Sequence, residues 1–207
     1  MDKAEKFWDK QATKLDQQYP KYEQVYIKII ETTKKYLNAN DIVLDYACGT
    51  GTITKEIACS VKEVHAIDIS STMVDLAKRK ASEHNIENIK FLRSTIMDVG
   101  YPEESFNVIL AFNILHFLKD PHLAIERINE LLKPGGFFIS TTACIGEKMT
   151  FSTISIILLS KIGLGPYVKS LKLYDLKDLL IHEKFQIVES ERLNYTIPNY
   201  FIIAKKV

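Results

Sequence analysis

The sequence lacks most of the features that identify secreted or membrane-spanning proteins. Its 207 residues include only three cysteines, Cys48, Cys59 and Cys144, an odd number at spacings that match no zinc-binding pattern. A chain of this size does not need disulfides for stability, which favours free thiols in a reducing cytoplasm. No apolar stretch approaches the ~18 residues of a membrane span, and the charged N-terminal stretch lacks the apolar core of a signal peptide. We therefore expect a cytoplasmic protein with no membrane span.

A large excess of charge of one sign is also absent. The 27 Lys and Arg residues nearly balance the 26 Asp and Glu residues, the net charge is +1, and no five like charges adjoin. This argues against a basic arm for nucleic acid or for an anionic membrane, so the expected partners are small molecules. The length fits one domain with a sizeable core, which we predict over residues 1–207, although two small domains would also fit.

Short apolar segments alternate with longer amphipathic ones from residue 42 to about residue 140. This order is typical of a parallel sheet with helices packed on it. Helices are predicted after the cap signals at Ser71 and Thr72 and at Asp120 and Pro121. The predicted strands of this block are residues 42–46, 63–68, 89–93, 107–112 and 136–141.

The segments that flank this block differ from it in composition. Residues 1–40 predict a helical cap rich in aromatic side chains, which would form a lid or pack on the sheet edge. Residues 143–170 predict an apolar cap insertion, which would cover an apolar pocket or contact another copy of the chain in a homodimer. Residues 171–207 predict a helix and a hairpin whose turn spans residues 194–199. The aromatic residues of the N-terminal cap include Phe7, Trp8, Tyr19, Tyr22 and Tyr26.

The first predicted strand runs into a turn that contains two glycines, Gly49 and Gly51. Glycine lets a backbone approach a ligand closely, and open parallel sheets bind ligands beyond the carboxyl ends of their strands. A phosphate-binding loop needs a Gly-Lys pair, but Lys55 lies four residues beyond Gly51. A dinucleotide site needs a small residue where this chain has Thr54, and Asp45 would repel a diphosphate. The turn therefore favours a cationic ligand and disfavours a nicotinamide oxidoreductase.

Four motifs follow one another at ordinary spacing: DYACGTG at 45–51, AIDIS at 66–70, FNVI at 106–109 and LKPGG at 132–136. Together they resemble the class I S-adenosylmethionine-dependent methyltransferases of the small-molecule type, strongly over residues 40–142 and loosely in the flanks. The resemblance implies an α/β fold: a Rossmann-like, doubly wound, seven-stranded sheet, mostly parallel with a C-terminal antiparallel hairpin, and helices on both faces. Residues 41–142 would form the cofactor-binding core.

The resemblance also implies which residues bind the cofactor, S-adenosyl-L-methionine. Asp68 would accept both ribose hydroxyls, although its position also suits a helix cap. Asp45 would lie near the methionine amino group or would only fix the turn. In the loop after the third strand, either Thr95 or Asp98 would contact the adenine edge. The implied cofactor-binding set is Asp45, Ala47, Cys48, Gly49, Gly51, Asp68, Ile69, Met73, Thr95, Ile96, Met97, Asp98 and Phe112.

The chemistry is expected just after the fourth strand, at Asn113 and His116. The sulfonium already activates the methyl group, so the protein's work is to align the acceptor and exclude water, and a general base is optional. His116 would accept a proton from the acceptor or would be a structural histidine. The other histidines are scattered in the sequence, and no metal site is predicted. The expected reaction is in-line methyl transfer to a small, apolar or aromatic acceptor, and the alternative is a non-catalytic cofactor-binding or interaction module.

Overall fold

The computed structural model describes residues 3–148, 150–193 and 195–207, apart from the side chains of Tyr19 and Ser152. Parts of three predictions lie outside the described residues: residues 1–2 and the ring of Tyr19 in the N-terminal cap, residue 149 and the side chain of Ser152 in the apolar cap insertion, and Asn194 at the start of the C-terminal turn. The helices are α1 (Lys3–Gln17), α2 (Tyr19–Lys34), α3 (Thr52–Ala58), α4 (Ser71–Glu83), α5 (Pro121–Leu131), α6 (Phe151–Lys161) and α7 (Leu173–His182). None of these described helices combines the length and the apolar character needed to cross a membrane.

Seven strands form one sheet in the order β3-β2-β1-β4-β5-β7-β6. The strands are β1 (Ile42–Tyr46), β2 (Glu63–Asp68), β3 (Ile89–Arg93), β4 (Phe106–Phe112), β5 (Leu132–Ala143), β6 (Phe185–Leu193) and β7 (Asn199–Lys206). The first five strands are parallel, and β7 lies antiparallel between β5 and β6. The predicted sheet is therefore confirmed. Strand β5 begins earlier than predicted, because Leu132 pairs with Phe106 ahead of a register shift.

Alternate residues of the central strands face opposite sides of the sheet. Val43 and Val108 belong to one buried cluster with residues of α2 and α3, and Leu44 and Ile109 belong to another with residues of α5 and α7. Because side chains alternate along a strand, both faces of this sheet are buried, as parallel sheets require. Helices therefore cover both faces.

The sheet also fixes where a ligand can bind. Strand β1 has β2 on one side and β4 on the other, so the strand order reverses between β1 and β4. The register places Asp45 beside Ala66 of β2 and Leu110 of β4, so the carboxyl ends of these strands meet at one edge. In open α/β sheets, ligands bind outside the carboxyl ends at such a switch point. The glycine turn after β1 lies at this edge.

Candidate functional site

The turn after β1 has left-handed backbone at three positions: Ala47, Gly49 and Gly51 have φ angles of +60°, +57° and +74°. A Cβ atom added to Gly51 would lie 2.8 Å from the Cβ of Ala77 on α4, so this turn packs too closely on α4 for any side chain. A Cβ atom added to Gly49 would meet nothing within 4 Å. Gly49 therefore presents its backbone to open space at the switch point.

Asp68 holds the glycine turn and the start of α4 together. Its Oδ2 accepts the Gly49 N–H at 2.9 Å, and its Oδ1 accepts the Ser70 N–H at 2.9 Å. The N-cap of α4 is Ser70, whose hydroxyl oxygen accepts the Met73 N–H at 3.1 Å, so Asp68 is not the cap residue itself. Burial raises the pKa of Asp68, and the bonds from Ser70 and Gly49 oppose that shift. A carboxylate has about four acceptor positions, so Asp68 can still accept ribose hydroxyls.

Asp45 is 2% exposed and lies at the end of β1. Its Oδ2 accepts the Thr54 hydroxyl at 2.6 Å, so the residue that breaks the dinucleotide pattern serves here as a hydrogen-bond donor. Burial raises the pKa of Asp45 to about 6, the Thr54 bond opposes the shift, and the Asp68 charge adds to it. A cation in the crevice would favour the ionised carboxylate, which makes Asp45 a fitting neighbour for a positively charged ligand.

Cys48 follows Asp45 in the same turn. Burial raises the pKa of its thiol well above the usual range, and the Asp45 and Asp68 charges raise it further. Its backbone N–H donates to Ile67 O at 3.0 Å. Cys48 is therefore a neutral thiol that fills the turn and is unsuited to act as a nucleophile.

Asn113 is fixed at the end of β4 from several sides. Its φ angle is +57°, and its N–H donates to Thr141 O at 2.8 Å and to the Thr141 hydroxyl oxygen at 3.0 Å. Its side-chain Oδ1 accepts from Asn199 Nδ2 at 2.8 Å, and its side chain is hydrogen-bonded to Tyr195. Asn113 therefore ties β4 to the C-terminal hairpin and holds Tyr195 in place.

His116 lies in a 3-10 turn over Leu115–Phe117 and is 5% exposed. Its Nδ1 lies 3.3 Å from the Ala143 N, whose N–H it accepts, so the ring proton belongs on Nε2. Burial lowers the pKa of His116 to about 4, which keeps the ring neutral near pH 7. We find no partner for Nε2 among the described residues. The geometry thus leaves His116 an Nε2–H donor, whereas the sequence offered a proton acceptor or a structural histidine. Its catalytic role stays a prediction.

The loop after β3 bonds to itself. The Thr95 hydroxyl donates to Asp98 Oδ2 at 2.6 Å, and the Asp98 N–H donates back to the Thr95 hydroxyl oxygen at 3.2 Å. Ile96 is buried in the core and Met97 is exposed. None of these four residues lines the cavity described below. Their predicted contact with the adenine edge therefore stays a prediction.

Two acidic side chains of α1, Asp9 and Asp16, attach this helix to the edge of the cavity. The sequence did not predict either as a site residue. Asp9 accepts the Ser70 hydroxyl at 2.5 Å and the Thr72 N–H at 3.1 Å. Asp16 accepts the Thr50 hydroxyl at 2.9 Å and forms an ion pair with Lys80. These partners lie 34 to 64 residues away in sequence, so no local pattern reports them. They hold α1 across the glycine turn and the start of α4.

A cavity of about 400 Å³ lies between these groups, within the usual range for small-molecule sites. Eight predicted cofactor-binding residues line it, as do Asn113 and His116; Gly51 does not. Aromatic residues of α1 and α2 also line it, which the sequence allowed, and Tyr195 does so, which it did not suggest. The lining residues are Trp8, Leu15, Gln18, Tyr22, Tyr26, Asp45, Ala47, Cys48, Gly49, Thr50, Thr52, Ile53, Asp68, Ile69, Met73, Phe112, Asn113, Ile114, His116, Phe117 and Tyr195.

Two histidines that the sequence placed apart meet on the surface. His122 Nε2 lies 2.9 Å and His182 Nδ1 lies 2.7 Å from the same Glu183 oxygen. The three potential ligand atoms all lie within 4.8 Å of one another. The view of these histidines as scattered is therefore wrong, because α7 ends beside the start of α5. Contacts with the Glu183 carboxylate account for the arrangement, and none of the three residues lines the cavity.

Known proteins share both sequence and fold with this chain. The uncharacterized methyltransferase YcgJ of Bacillus subtilis is 29% identical over 97 residues, and its crystal structure matches with a TM-score of 0.71 at 15% identity, covering 86% of this chain and 98% of that one. The ubiquinone biosynthesis O-methyltransferase of Bartonella tribocorum is 26% identical over 180 residues, which are 79% of this chain and 72% of that protein. The demethylmenaquinone methyltransferase of Lactococcus lactis is 34% identical over 97 residues, 45% of this chain and 38% of that protein.

The matched part of the chain spans only part of some relatives. The sequence match with YcgJ takes in 47% of this chain and 38% of YcgJ. The match with an uncharacterized methyltransferase of Schizosaccharomyces pombe takes in 40% of that protein. The fold and the cavity define an α/β protein with a ligand site at the switch point of its sheet. A methyltransferase-domain family model matches residues 37–164, and the chain belongs to this family, the class I S-adenosylmethionine-dependent methyltransferases. The resemblance found in the sequence is thus confirmed, and S-adenosylmethionine is the cofactor.

The chain's own residues fit this cofactor. S-adenosylmethionine carries ribose hydroxyls, a sulfonium and an ammonium group, so it needs acceptors and negative charge. Asp68 offers free acceptor positions, Asp45 offers a buried carboxylate, and Gly49 leaves open space beside its backbone. These three residues would hold the cofactor, which supplies an activated methyl group when bound. Their individual roles stay predictions.

Proposed function

We propose that this chain transfers the methyl group of S-adenosylmethionine to a small, apolar or aromatic acceptor by in-line displacement. The observation that carries the proposal is the aromatic part of the cavity. Six aromatic side chains line it, from α1, α2, the end of β4, the 3-10 turn that follows β4 and the residues after β6. Flat apolar walls of this kind suit a ring-shaped acceptor. The six are Trp8, Tyr22, Tyr26, Phe112, Phe117 and Tyr195.

These rings support one another and the walls around them. Trp8 lies edge-on to Phe117 with ring centroids 4.8 Å apart, and Tyr22 lies 5.1 Å from Tyr195. Tyr195 is in turn hydrogen-bonded to Asn113. Rings held in this way can orient a bound acceptor and exclude water, which are the main tasks left to a methyltransferase. We therefore assign Asn113 a positioning role.

His116 restricts the chemistry of the acceptor. With a pKa of about 4 and with Nδ1 already accepting a backbone N–H, it is a poor general base near pH 7. Its Nε2–H can donate to an oxygen of the acceptor and stabilise negative charge there. The best acceptor is therefore an acidic phenol or enol that has already lost its proton to solvent when it binds, so that the transfer step itself needs no base. The names of two relatives, a ubiquinone biosynthesis O-methyltransferase and a demethylmenaquinone methyltransferase, favour a ring acceptor of this class.

The test is transfer of a labelled methyl group from S-adenosylmethionine to a panel of phenols, quinols, amines and carboxylic acids. We expect transfer to phenols or quinols, with Tyr22→Ala lowering the rate. Tyr174→Ala is the matched control, because Tyr174 lies on α7 and is 72% exposed. Transfer to amines alone would contradict the phenolic acceptor. Cofactor binding without transfer to any compound would favour a non-catalytic binding module.

A further inference from the structure

Helix α6 exposes a continuous apolar face. Residues three, four and seven positions apart share one side of a helix, which places Phe151, Ile154, Leu158 and Ile162 in a stripe. Phe151 is 88% exposed, and Leu164 just beyond the helix is 72% exposed. An apolar surface of this extent marks an interaction site. We call the following residues the α6 surface: Phe151, Ile154, Leu158, Leu159, Ile162 and Leu164.

The other side of α6 packs on the protein beside the cavity. Thr153 is buried, and Ile157 packs against a cluster that contains the buried Ile145 and Val168. Phe117 packs against the same cluster and lines the cavity. The buried side of α6 therefore holds the helix in place, and the cluster on which it packs also contacts Phe117 of the cavity wall.

The segment that carries the α6 surface has an excess of positive charge, with lysines at 148, 161, 169 and 172. Lys148, Lys161 and Lys172 are exposed, and residues 149–174 contain no Asp or Glu. The nearest acids in the sequence lie at the two ends of this segment, where Glu147 accepts the Leu173 N–H at 2.7 Å and Asp175 accepts the Lys172 N–H at 3.0 Å. We call these exposed lysines the basic rim. They are spaced apart in the sequence, so no run of like charge predicted the rim.

An apolar face with a basic rim distinguishes between possible occupants. A second copy of the chain, docked face to face, would bring two basic rims together, which costs free energy. A nucleic acid would contact the lysines but leave the apolar stripe exposed. An anionic lipid surface satisfies both features, because acyl chains accept the apolar side chains and headgroups attract the lysines.

We propose that the α6 surface docks on the anionic face of a lipid bilayer. The 11 residues of α6 span only ~16 Å, well short of the ~30 Å hydrocarbon core, so the helix lies along the interface and not across it. If the acceptor of the proposed function is lipophilic, this docking places the cavity wall at Phe117 next to the phase in which that acceptor is dissolved. The docking itself depends on no feature of the cofactor site.

The experiment is co-sedimentation of the full chain with vesicles of phosphatidylcholine containing roughly one third phosphatidylglycerol, and with vesicles of phosphatidylcholine alone. We expect binding to the anionic vesicles that weakens with salt. The double variant Leu158→Glu with Ile162→Glu should lower the partition coefficient at least about tenfold, because it places charge on the stripe that enters the headgroup boundary. Ile181→Glu is the matched control, because Ile181 lies on α7 and is 60% exposed.

The outcomes separate this inference from the proposed function. Calorimetric binding of S-adenosylmethionine by every variant shows that the fold is intact, and it is measured without lipid or acceptor. Failure of the wild type to bind anionic vesicles, or equal binding by the double variant, would overturn the docking while leaving methyl transfer untouched. Self-association of the wild type that the double variant abolishes, without vesicle binding, would overturn it in favour of a contact between copies.

Discussion

Replacing Gly51 with alanine should destabilise the protein far more than the same change at Gly49. Both glycines have left-handed backbone, with φ angles of +74° and +57°, so both substitutions incur the cost of ~1–2 kcal/mol that a Cβ brings in this conformation. The space around the two positions differs. A Cβ at Gly49 meets nothing within 4 Å, whereas a Cβ at Gly51 lies 2.8 Å from Ala77 Cβ and 3.1 Å from Ala77 Cα.

The overlap with α4 adds to the cost at Gly51. Overpacking of a rigid contact typically costs ~1–3 kcal/mol, so we expect a total of about 2–5 kcal/mol for Gly51→Ala against about 1–2 kcal/mol for Gly49→Ala. Ala77→Gly removes one of the two overlapping atoms and costs ~1 kcal/mol by itself in a helix. In the double variant Gly51→Ala with Ala77→Gly, part of the overlap disappears. The two changes together should therefore cost less than the sum of the single changes.

The assay is urea unfolding of the protein without ligand, followed by circular dichroism, with the slope of the transition checked for two-state behaviour. Comparison of the two glycine variants cancels the backbone cost and leaves the contact with α4. Equal destabilisation by both substitutions, or strict additivity in the double variant, would refute the reasoning. Either result would mean that the turn and α4 can separate without loss of stability.

Four further predictions concern the acidic residues. Asp68→Asn should weaken binding of S-adenosylmethionine by ~1–3 kcal/mol in calorimetry, and unchanged affinity would mean that Asp68 only holds the turn. Cofactor affinity should fall as the pH drops through about 6, where Asp45 gains a proton and loses its charge; Asp45→Asn should remove this dependence. Because the folded state raises the pKa of Asp45 from 3.8, the ligand-free protein should lose stability as pH rises from about 4 to about 6, and Asp45→Asn should flatten that loss in urea unfolding curves. Asp9→Asn should weaken the bonds from Ser70 and Thr72, so hydrogen exchange should speed up in α1 and stay constant in α7.

The cofactor-binding core could be predicted from the sequence because its signals are local. Buried apolar runs such as residues 42–46 define the strands, and the two glycines with Asp45 and Asp68 mark the switch point. Four motifs in the right order then identified the family. Each of these features lies within a few residues of a strand end, where the fold itself determines the position of the side chain.

The rest of the site depends on contacts that join distant parts of the chain. Asp9 meets Ser70 across 61 residues, and Asn199 meets Asn113 across 86 residues. A single sequence carries no signal for such pairs. The environment of His116 could not be predicted for the same reason. Its Nδ1 accepts a backbone N–H of β5, which is distant in sequence. Sequence alone therefore left two roles for His116, a proton acceptor or a structural histidine, and it could not show that the free ring nitrogen is a donor.

Ser70 connects the cofactor site with helix α1 and so bears on the rate of turnover. Its N–H donates to Asp68, its hydroxyl donates to Asp9, and the same oxygen caps α4. A ligand that binds Asp68 should therefore stabilise the position of α1 through Ser70. By reciprocity, α1 held by its Asp9 contact should slow dissociation of the ligand. We therefore expect loss of the Asp9 contact to speed the release of the spent cofactor.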